Sequence, residues 1–295
     1  MSTTKLSCLE SVKRQNGKRP EVKIILKAGK IILKVIDFTI VVDRSGSVVS
    51  ISPNGWAEGF VTLIKEQKQL ITENLKILIT LVTFDGYATK YYDQIEVEKI
   101  PDDISEQELK KMFSPRGSTK LADTLYTNAV QQNERIAELE KKYEQENVSG
   151  VLVVWTDGHD NMSVAVNEVM VNTLITNISK NPRRTVLFTA ANQDAISVGG
   201  RYGVPAANCL TTPATPGGAP AMYRGISACA ARAVSGGGGG FTQAERTASM
   251  PVAHGAPPQT APIRAPFQSP FPFASAAAAP PPPPSLGGRG MSCGT

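Results

Sequence analysis

Val41-Val42-Asp43-Arg44-Ser45-Gly46-Ser47 is the stretch from which the rest of the chain can be read, because an apolar run ends there and Asp43, Ser45 and Ser47 leave that end together. The run itself, Ile36-Asp37-Phe38-Thr39-Ile40-Val41-Val42, is short and rich in β-branched and aromatic residues. That is the composition of a central parallel strand covered by helices on both faces. Val151-Leu152-Val153-Val154-Trp155 is a second run of the same kind, and it leads into Thr156-Asp157-Gly158. In open α/β sheets, ligands bind beyond the carboxyl ends of the strands where the topology reverses, so Asp43 and Asp157 are expected to share one crevice.

Between these two runs, Gly117-Ser118-Thr119 opens a predicted helix and adds a further hydroxyl. Two carboxylates with the hydroxyls of Ser45, Ser47 and Thr119 make an all-oxygen donor set, which suits a hard cation. A Mg²⁺-type ion takes roughly six oxygens and usually keeps water, so one or two carboxylates plus hydroxyls leave part of its shell open. Each piece alone is an ordinary turn or helix cap. Their order along one chain, each in strand-end or helix-start context, is what selects the metal reading.

Asp43-x-Ser45-x-Ser47, then Thr119, then Asp157 resembles the metal-ion-dependent adhesion site (MIDAS) of the von Willebrand factor type A (vWA) domain at all five positions. The resemblance covers about residues 35 to 235. It implies a three-layer α/β/α, Rossmann-like fold with a mostly parallel sheet and one antiparallel edge strand. It implies Mg²⁺ at the site, with Mn²⁺ or Ca²⁺ as alternatives, touched directly by Ser45, Ser47 and Thr119 and largely through water by Asp43 and Asp157. It further implies a protein partner whose Asp or Glu completes the metal shell, and membership of a larger assembly. After the predicted strand Arg184 to Ala190, Ala190-Ala191-Asn192-Gln193-Asp194-Ala195 resembles a loop of microbial and viral type A domains, with Ala190 in place of Gly.

An enzyme is the competing class. A strand-end Asp beside Mg²⁺ also suits phosphoryl transfer through an aspartyl phosphate, but there an Asp-x-Asp pair supplies nucleophile and general acid. Here the third position is Ser45, which removes the proton donor, so a non-enzymatic binding module is expected. The chain also contains no Gly-Lys-Ser/Thr phosphate loop. A third class is a scaffold acting through the two ends of the chain.

Charge is unevenly placed. Residues 1–34 carry nine Lys or Arg against Glu10 and Glu21, a net +7; residues 35–235 carry 19 against 23, a net −4; residues 236–295 carry three Arg against Glu245, a net +2. The overall +5 therefore belongs to the ends, and a basic nucleic-acid-binding face is not expected on the folded part. Domains are expected at 1–34 (a basic arm), 35–235 (the folded domain) and 236–295 (a disordered tail). The tail expectation rests on the Gly236–Gly240 run, Ala- and Pro-rich composition and the five prolines Pro280 to Pro284. Met1 to Pro20 is polar without an apolar core, and no run reaches the roughly 18 apolar residues of a membrane helix, so an intracellular, cytoplasmic protein is expected. Cys8, Cys209, Cys229 and Cys293 have no paired spacing and suggest neither zinc nor disulfides.

The remaining elements follow from periodicity. Lys23 to Lys27 is repeated at Lys30 to Lys34 around Ala28-Gly29, as in a short hairpin or a lead-in strand. Trp56, Phe60, Leu63, Ile64, Leu70 and Ile71 have helical spacing. Ile77 to Phe84 reads as a strand turning at Asp85-Gly86 into an antiparallel edge around Lys90-Tyr91-Tyr92. Helices are expected over 105–112, Leu121 to about Asn147, Val164 to Ser179 and Met222 to Val234, with a last strand near Asn208 to Thr211. His159 reads as a loop residue and Asp160 as an outer carboxylate or a cap for the following helix. Asp85 follows a strand but lacks the Ser spacing.

Overall fold

β1 (Lys34–Asp43) lies at the centre of the sheet because nine of its ten residues are buried, leaving only Lys34 at the surface. It pairs in parallel with β2 (Leu75–Phe84) on one side and with β4 (Val148–Thr156) on the other. β4 pairs in parallel with β5 (Arg184–Ala191), which pairs in parallel with β6 (Cys209–Thr212). β3 (Ala88–Glu96) runs antiparallel to β2 at the opposite edge, giving the order β3-β2-β1-β4-β5-β6. The computed structural model describes residues 33–50, 55–157, 159–191, 193–212, 218–234 and 239–250. The expected three-layer α/β/α architecture with one antiparallel edge strand is the one observed. The order reverses direction at β1 and β4, the two strands that end near Asp43 and Asp157.

Strand alternation sorts the layers. Ile36, Phe38, Ile40 and Val42 pack toward α1 (Gly55–Lys68), α2 (Glu106–Phe113) and α6 (Gly218–Val234), with Trp56, Phe60, Phe113, Trp155 and Tyr223 in the same cluster. Val41, Leu152, Val154 and Phe188 face the other way, toward α3 (Leu121–Tyr143), α4 (Glu168–Ser179) and α5 (Ala195–Arg201). Each fully buried aliphatic or aromatic side chain stabilises such a core by about 1.5–3 kcal/mol. α1 and α6 meet at Gly59, where an added Cβ would lie 1.5 Å from a ring carbon of the fully buried Tyr223. The Tyr223 hydroxyl donates to the Gly55 carbonyl at 2.7 Å, so the ring has no room to retreat along that contact.

Several boundaries differ from the periodicity reading. α1 stops at Lys68, and Leu70 and Ile71 reach the core from the turn that follows. α3 stops at Tyr143, and a 3₁₀ turn over Gln145–Asn147 leads into β4. α4 starts at Glu168 rather than Val164, because Asp123 accepts from the amides of Val164, Ala165 and Val166 and Asn167 caps the helix through Met170 N. α5 was not expected; Asp194 starts it by accepting from Ile196 N and Ser197 N.

α7 (Gln243–Ser249) lies inside the segment 236–295 expected to be a disordered tail, so the boundary drawn at 236 is corrected, while residues 251–295 lie outside the described residues. Phe241 is buried, Arg232 forms an ion pair with Glu245 at 2.7 Å, and Arg246 donates to the carbonyls of Cys209, Ala206 and Ala207. Thr242 and Glu245 form a capping box, a Thr-x-x-Glu signal that composition obscured. The hairpin around Ala28-Gly29, Cys8, Cys293 and the five prolines lie outside the described residues. Cys209 and Cys229 are buried free thiols. Among the described residues no helix is long and apolar enough to cross a membrane.

Candidate metal centre

Asp43 ends β1 on the α3 face, fully buried, with both carboxylate oxygens engaged. Oδ1 accepts from Ser45 N at 2.8 Å, which folds the chain back over the strand end, and Oδ2 accepts from the Thr156 hydroxyl of β4 at 2.7 Å. The Ser45 and Ser47 hydroxyl oxygens lie 3.1 Å apart, and Ser47 Oγ donates to Asp157 Oδ1 at 2.9 Å. Asp43, Ser45, Ser47 and Asp157 are thus joined in one run of hydrogen bonds across the ends of two adjacent parallel strands.

Thr119 is brought to the same strand ends by backbone contacts. Gly117 takes φ = 67°, a left-handed turn that glycine adopts without strain, and its carbonyl accepts from Gly46 N at 3.1 Å. From the other side, Thr119 N donates to Asn161 Oδ1 at 2.9 Å, and the Thr119 carbonyl accepts from Asn161 N and Met162 N. Thr119 is buried. The loop after β4 also finishes the start of α3, whose own preceding residue Lys120 offers no side-chain cap. Asp160 Oδ2 accepts from Ala122 N at 2.9 Å, and Ser163 Oγ accepts from Asp123 N at 3.0 Å. Asp160 therefore caps α3, not the helix that follows it. His159 is exposed in this loop.

A second scaffold lies beneath the first loop. Arg44, the variable position of the motif, is only 1% exposed. Its Nε donates to Asp85 Oδ2 at 3.0 Å, Nη1 to the Tyr91 hydroxyl at 3.0 Å and Nη2 to Thr89 Oγ1 at 3.1 Å. Nη1 also reaches the carbonyls of Lys111 and Met112 at the end of α2. Arg116 Nε shares the same Asp85 oxygen at 2.8 Å, and Arg116 N donates to the Arg44 carbonyl. Burial alone would raise the Asp85 pKa, but the Arg116 hydrogen bond, the Tyr87 amide and the Arg44 charge outweigh it and hold the carboxyl below its ordinary 3.8. Asp85, which the Ser spacing had set aside, is the hub that fixes the loop.

The electrostatics of the strand ends run the opposite way. Burial raises the Asp43 pKa against hydrogen bonds from Thr156 and Ser45. Burial, with the nearby Asp43 charge added, raises Asp157 to about 6 despite the Ser47 hydrogen bond. Two close carboxylates that both resist ionisation are a pair that a cation would relieve. The donor set is all oxygen; among the described residues no group of three or more His, Cys, Asp or Glu could hold a metal, so an ion bound here would depend on the hydroxyls beside the two carboxylates. The oxygens of Asp43, Ser45, Ser47 and Asp157, joined in one run, suit a hard divalent cation, and Thr119 is held near them through its backbone.

Neither a scan of protein-family models nor a search of curated proteins finds a match to this chain. Solved structures similar to it include proximal thread matrix protein 1 from the mussel byssus, at 17% identity over 68% of this chain and 47% of that one, TM-score 0.46. A von Willebrand factor type A protein from Catenulispora acidiphila is 13% identical over 68% of this chain and 43% of its own, TM-score 0.45. The manganese-loaded Plasmodium vivax TRAP protein is 15% identical over 64% and 72%, TM-score 0.40. The chain spans about half the length of the first two. The likeness is one of fold.

Proposed function

We propose that this chain is a non-enzymatic, divalent-metal-dependent protein-binding module in which Ser45, Ser47 and Thr119, backed by Asp43 and Asp157, hold Mg²⁺. The observation that carries the reading is the Asp43–Ser45–Ser47–Asp157 hydrogen-bonded run across two strand ends at the point where strand order reverses. When bound, the ion supplies an open coordination position for a carboxylate oxygen of the partner. Asp43 orients Ser45 through its amide and holds Thr156, which keeps the β1 and β4 ends in register. Ser47, exposed on its 3₁₀ turn, is the hydroxyl most open to a partner. Asp157 balances the ion's charge from the second strand. An acidic side chain on the partner, rather than a basic or nucleic-acid surface, suits the open position.

Calorimetric titration of the metal-free protein with Mg²⁺ and Mn²⁺ tests the first half, with Asp43→Ala and the exposed-site variant Ser47→Ala as controls. Saturable binding that either substitution weakens, while circular dichroism stays native, supports the site. Wild-type binding indistinguishable from a folded Ser47→Ala/Asp157→Ala double variant would remove it. Capture of partners in Mg²⁺ against EDTA then tests the second half: retention that is equal in both, and equal for Asp43→Ala, would sink metal-bridged recognition.

A further inference from the structure

The two edges of the sheet are guarded by different means. β3, the longer edge, carries Lys90, Asp93 and Glu96, and its pairing with β2 shifts register between Ile79 and Val82, near Gln94 with its φ of 51°. Charges and bulges of this kind keep a strand edge from pairing with another chain. β6 has neither: Cys209-Leu210-Thr211-Thr212 is uncharged and pairs with β5 in unbroken register. Left open, such an edge is a template for a further strand.

α7 and the residues leading to it lie along this edge. Arg246 Nη1 donates to the Cys209 carbonyl at 2.7 Å, and the Ser249 hydroxyl donates to the Thr211 carbonyl at 3.1 Å. Two residues apart, these carbonyls leave β6 on one side, the side away from β5. Just before β6, the Ala206 and Ala207 carbonyls accept from Arg246 Nη2 at 2.9 and 2.7 Å, and Ala207 also accepts from Phe241 N at 2.8 Å. Phe241 is buried against α6, where a Cβ on Gly225 would stand 3.5 Å from its ring. Arg232 of α6 ties the segment down, donating to both Glu245 carboxylate oxygens at 2.7 and 2.9 Å and to the Gly240 carbonyl at 2.8 Å. Gly239 passes β5 so closely that a Cβ there would collide with the Thr185 side chain. Cys209, Leu210 and Thr212 are consequently buried although β6 is the last strand of the sheet. A seven-residue helix is too short to persist by its own hydrogen bonds, so these contacts decide whether α7 stays in place.

We propose that residues 239–250 are a detachable cover for the β6 edge, and that the uncovered edge pairs with the β6 edge of a second copy of this chain. The Cys209 and Thr211 carbonyls sit symmetrically about Leu210. Two copies related by a two-fold axis therefore pair antiparallel, with Cys209 of each opposite Thr211 of the other, the reciprocal contact that closes a dimer. A four-residue edge offers few backbone hydrogen bonds, so the association is weak and needs the cover to leave first. β5 separates this edge from β4 and β1, the strands that lead to Asp157 and end at Asp43.

Light scattering of the full chain tests this with two independent ways of releasing the cover. Phe241→Ser/Arg246→Ser removes the buried anchor and the carbonyl contacts, whereas Gly239→Val keeps both and forces the chain away from Thr185. In a variant with native near-ultraviolet circular dichroism, the mass is expected to rise from one chain toward two between about 10 and 500 μM, while the wild type stays at one. Amide hydrogen exchange over residues 206–212 of that variant should slow about fivefold at the higher concentration. Native variants that remain single chains up to ~1 mM overturn the proposal, and so does a wild type that associates equally, since the cover would then shield nothing. A dimer whose 206–212 amides exchange no more slowly also overturns it, and would point to α7 exchanged between copies through the glycine run Gly236–Gly240. Loss of native circular dichroism in both variants overturns it as well, because the segment would then be part of the core and not detachable.

Discussion

Replacing Arg44 by leucine should destabilise the protein by about 3 kcal/mol, and the structure sets that magnitude. Arg44 and Asp85 form an ion pair at 3.0 Å with side-chain exposures of 1% and 6%, so water cannot compensate either partner when the other is removed. Breaking such a pair costs about 3–5 kcal/mol. The lower end applies here because Asp85 would keep Arg116 at 2.8 Å and the Tyr87 amide, and the Lys111 carbonyl would keep the Tyr91 hydroxyl at 2.7 Å. Arg44→Lys retains the charge but cannot serve Asp85, Tyr91 and Thr89 from one planar fork, so about 1–2 kcal/mol is expected. Urea unfolding is the assay: with a slope of about 2 kcal/mol/M, the leucine variant should unfold about 1.5 M earlier. The pair also has a pH signature. The Asp85 pKa is lowered by folding, so its contribution is present above 3.8 and is lost as pH falls through the still lower folded value. Arg44→Leu should weaken that acid-side loss. A leucine variant destabilised by less than about 1 kcal/mol, or showing no coupling to Asp85→Asn in a double-mutant cycle, would refute the assignment of Arg44 as the buried anchor of the site loop.

Two further outcomes are expected. Asp157 is raised from 3.8 to about 6 in the folded protein, so between those values the folded state holds the proton more tightly and metal-free stability falls as pH rises. Mg²⁺ has to displace that proton, so its apparent affinity should drop about tenfold per pH unit below 6; calorimetry showing the same affinity at about pH 5 and pH 7 would contradict this. Gly59→Ala puts a methyl 1.5 Å from the Tyr223 ring and should cost about 3 kcal/mol by thermal unfolding. Adding Tyr223→Leu should recover part of that loss, and a silent Gly59→Ala would show that α1 and α6 are not held as described.

The two apolar runs ending at Asp43 and Asp157 made the parallel sheet legible, because burial on both faces forces continuous apolar strands and ligand sites fall at their carboxyl ends. Asp43, Ser45, Ser47 and Asp157 were legible for the same reason: loop residues at strand ends stay close to the strands that carry them, whereas Thr119 precedes α3 and was legible only as a hydroxyl at a helix start. Helix limits were less so. Val164 to Val166 have helical composition, yet Asp123, 41 to 43 residues earlier in the chain, takes their amides. Thr242-x-x-Glu245 was a local signal for α7 that glycine- and alanine-rich surroundings concealed.

Arg44 and Asp37 show where sequence reading stops. A charged residue in or beside an apolar strand has no visible partner along the chain; Asp37 finds Arg135 at 2.7 Å and Gln132 from α3, and Arg44 finds Asp85 across the β2 end. The sequence by itself determined the strand-end chemistry, since spacing and strand ends are local properties of the chain. Only the tertiary structure decided which buried charges are neutralised and that Asp160 caps α3, because each depends on segments that burial in the folded core brings together.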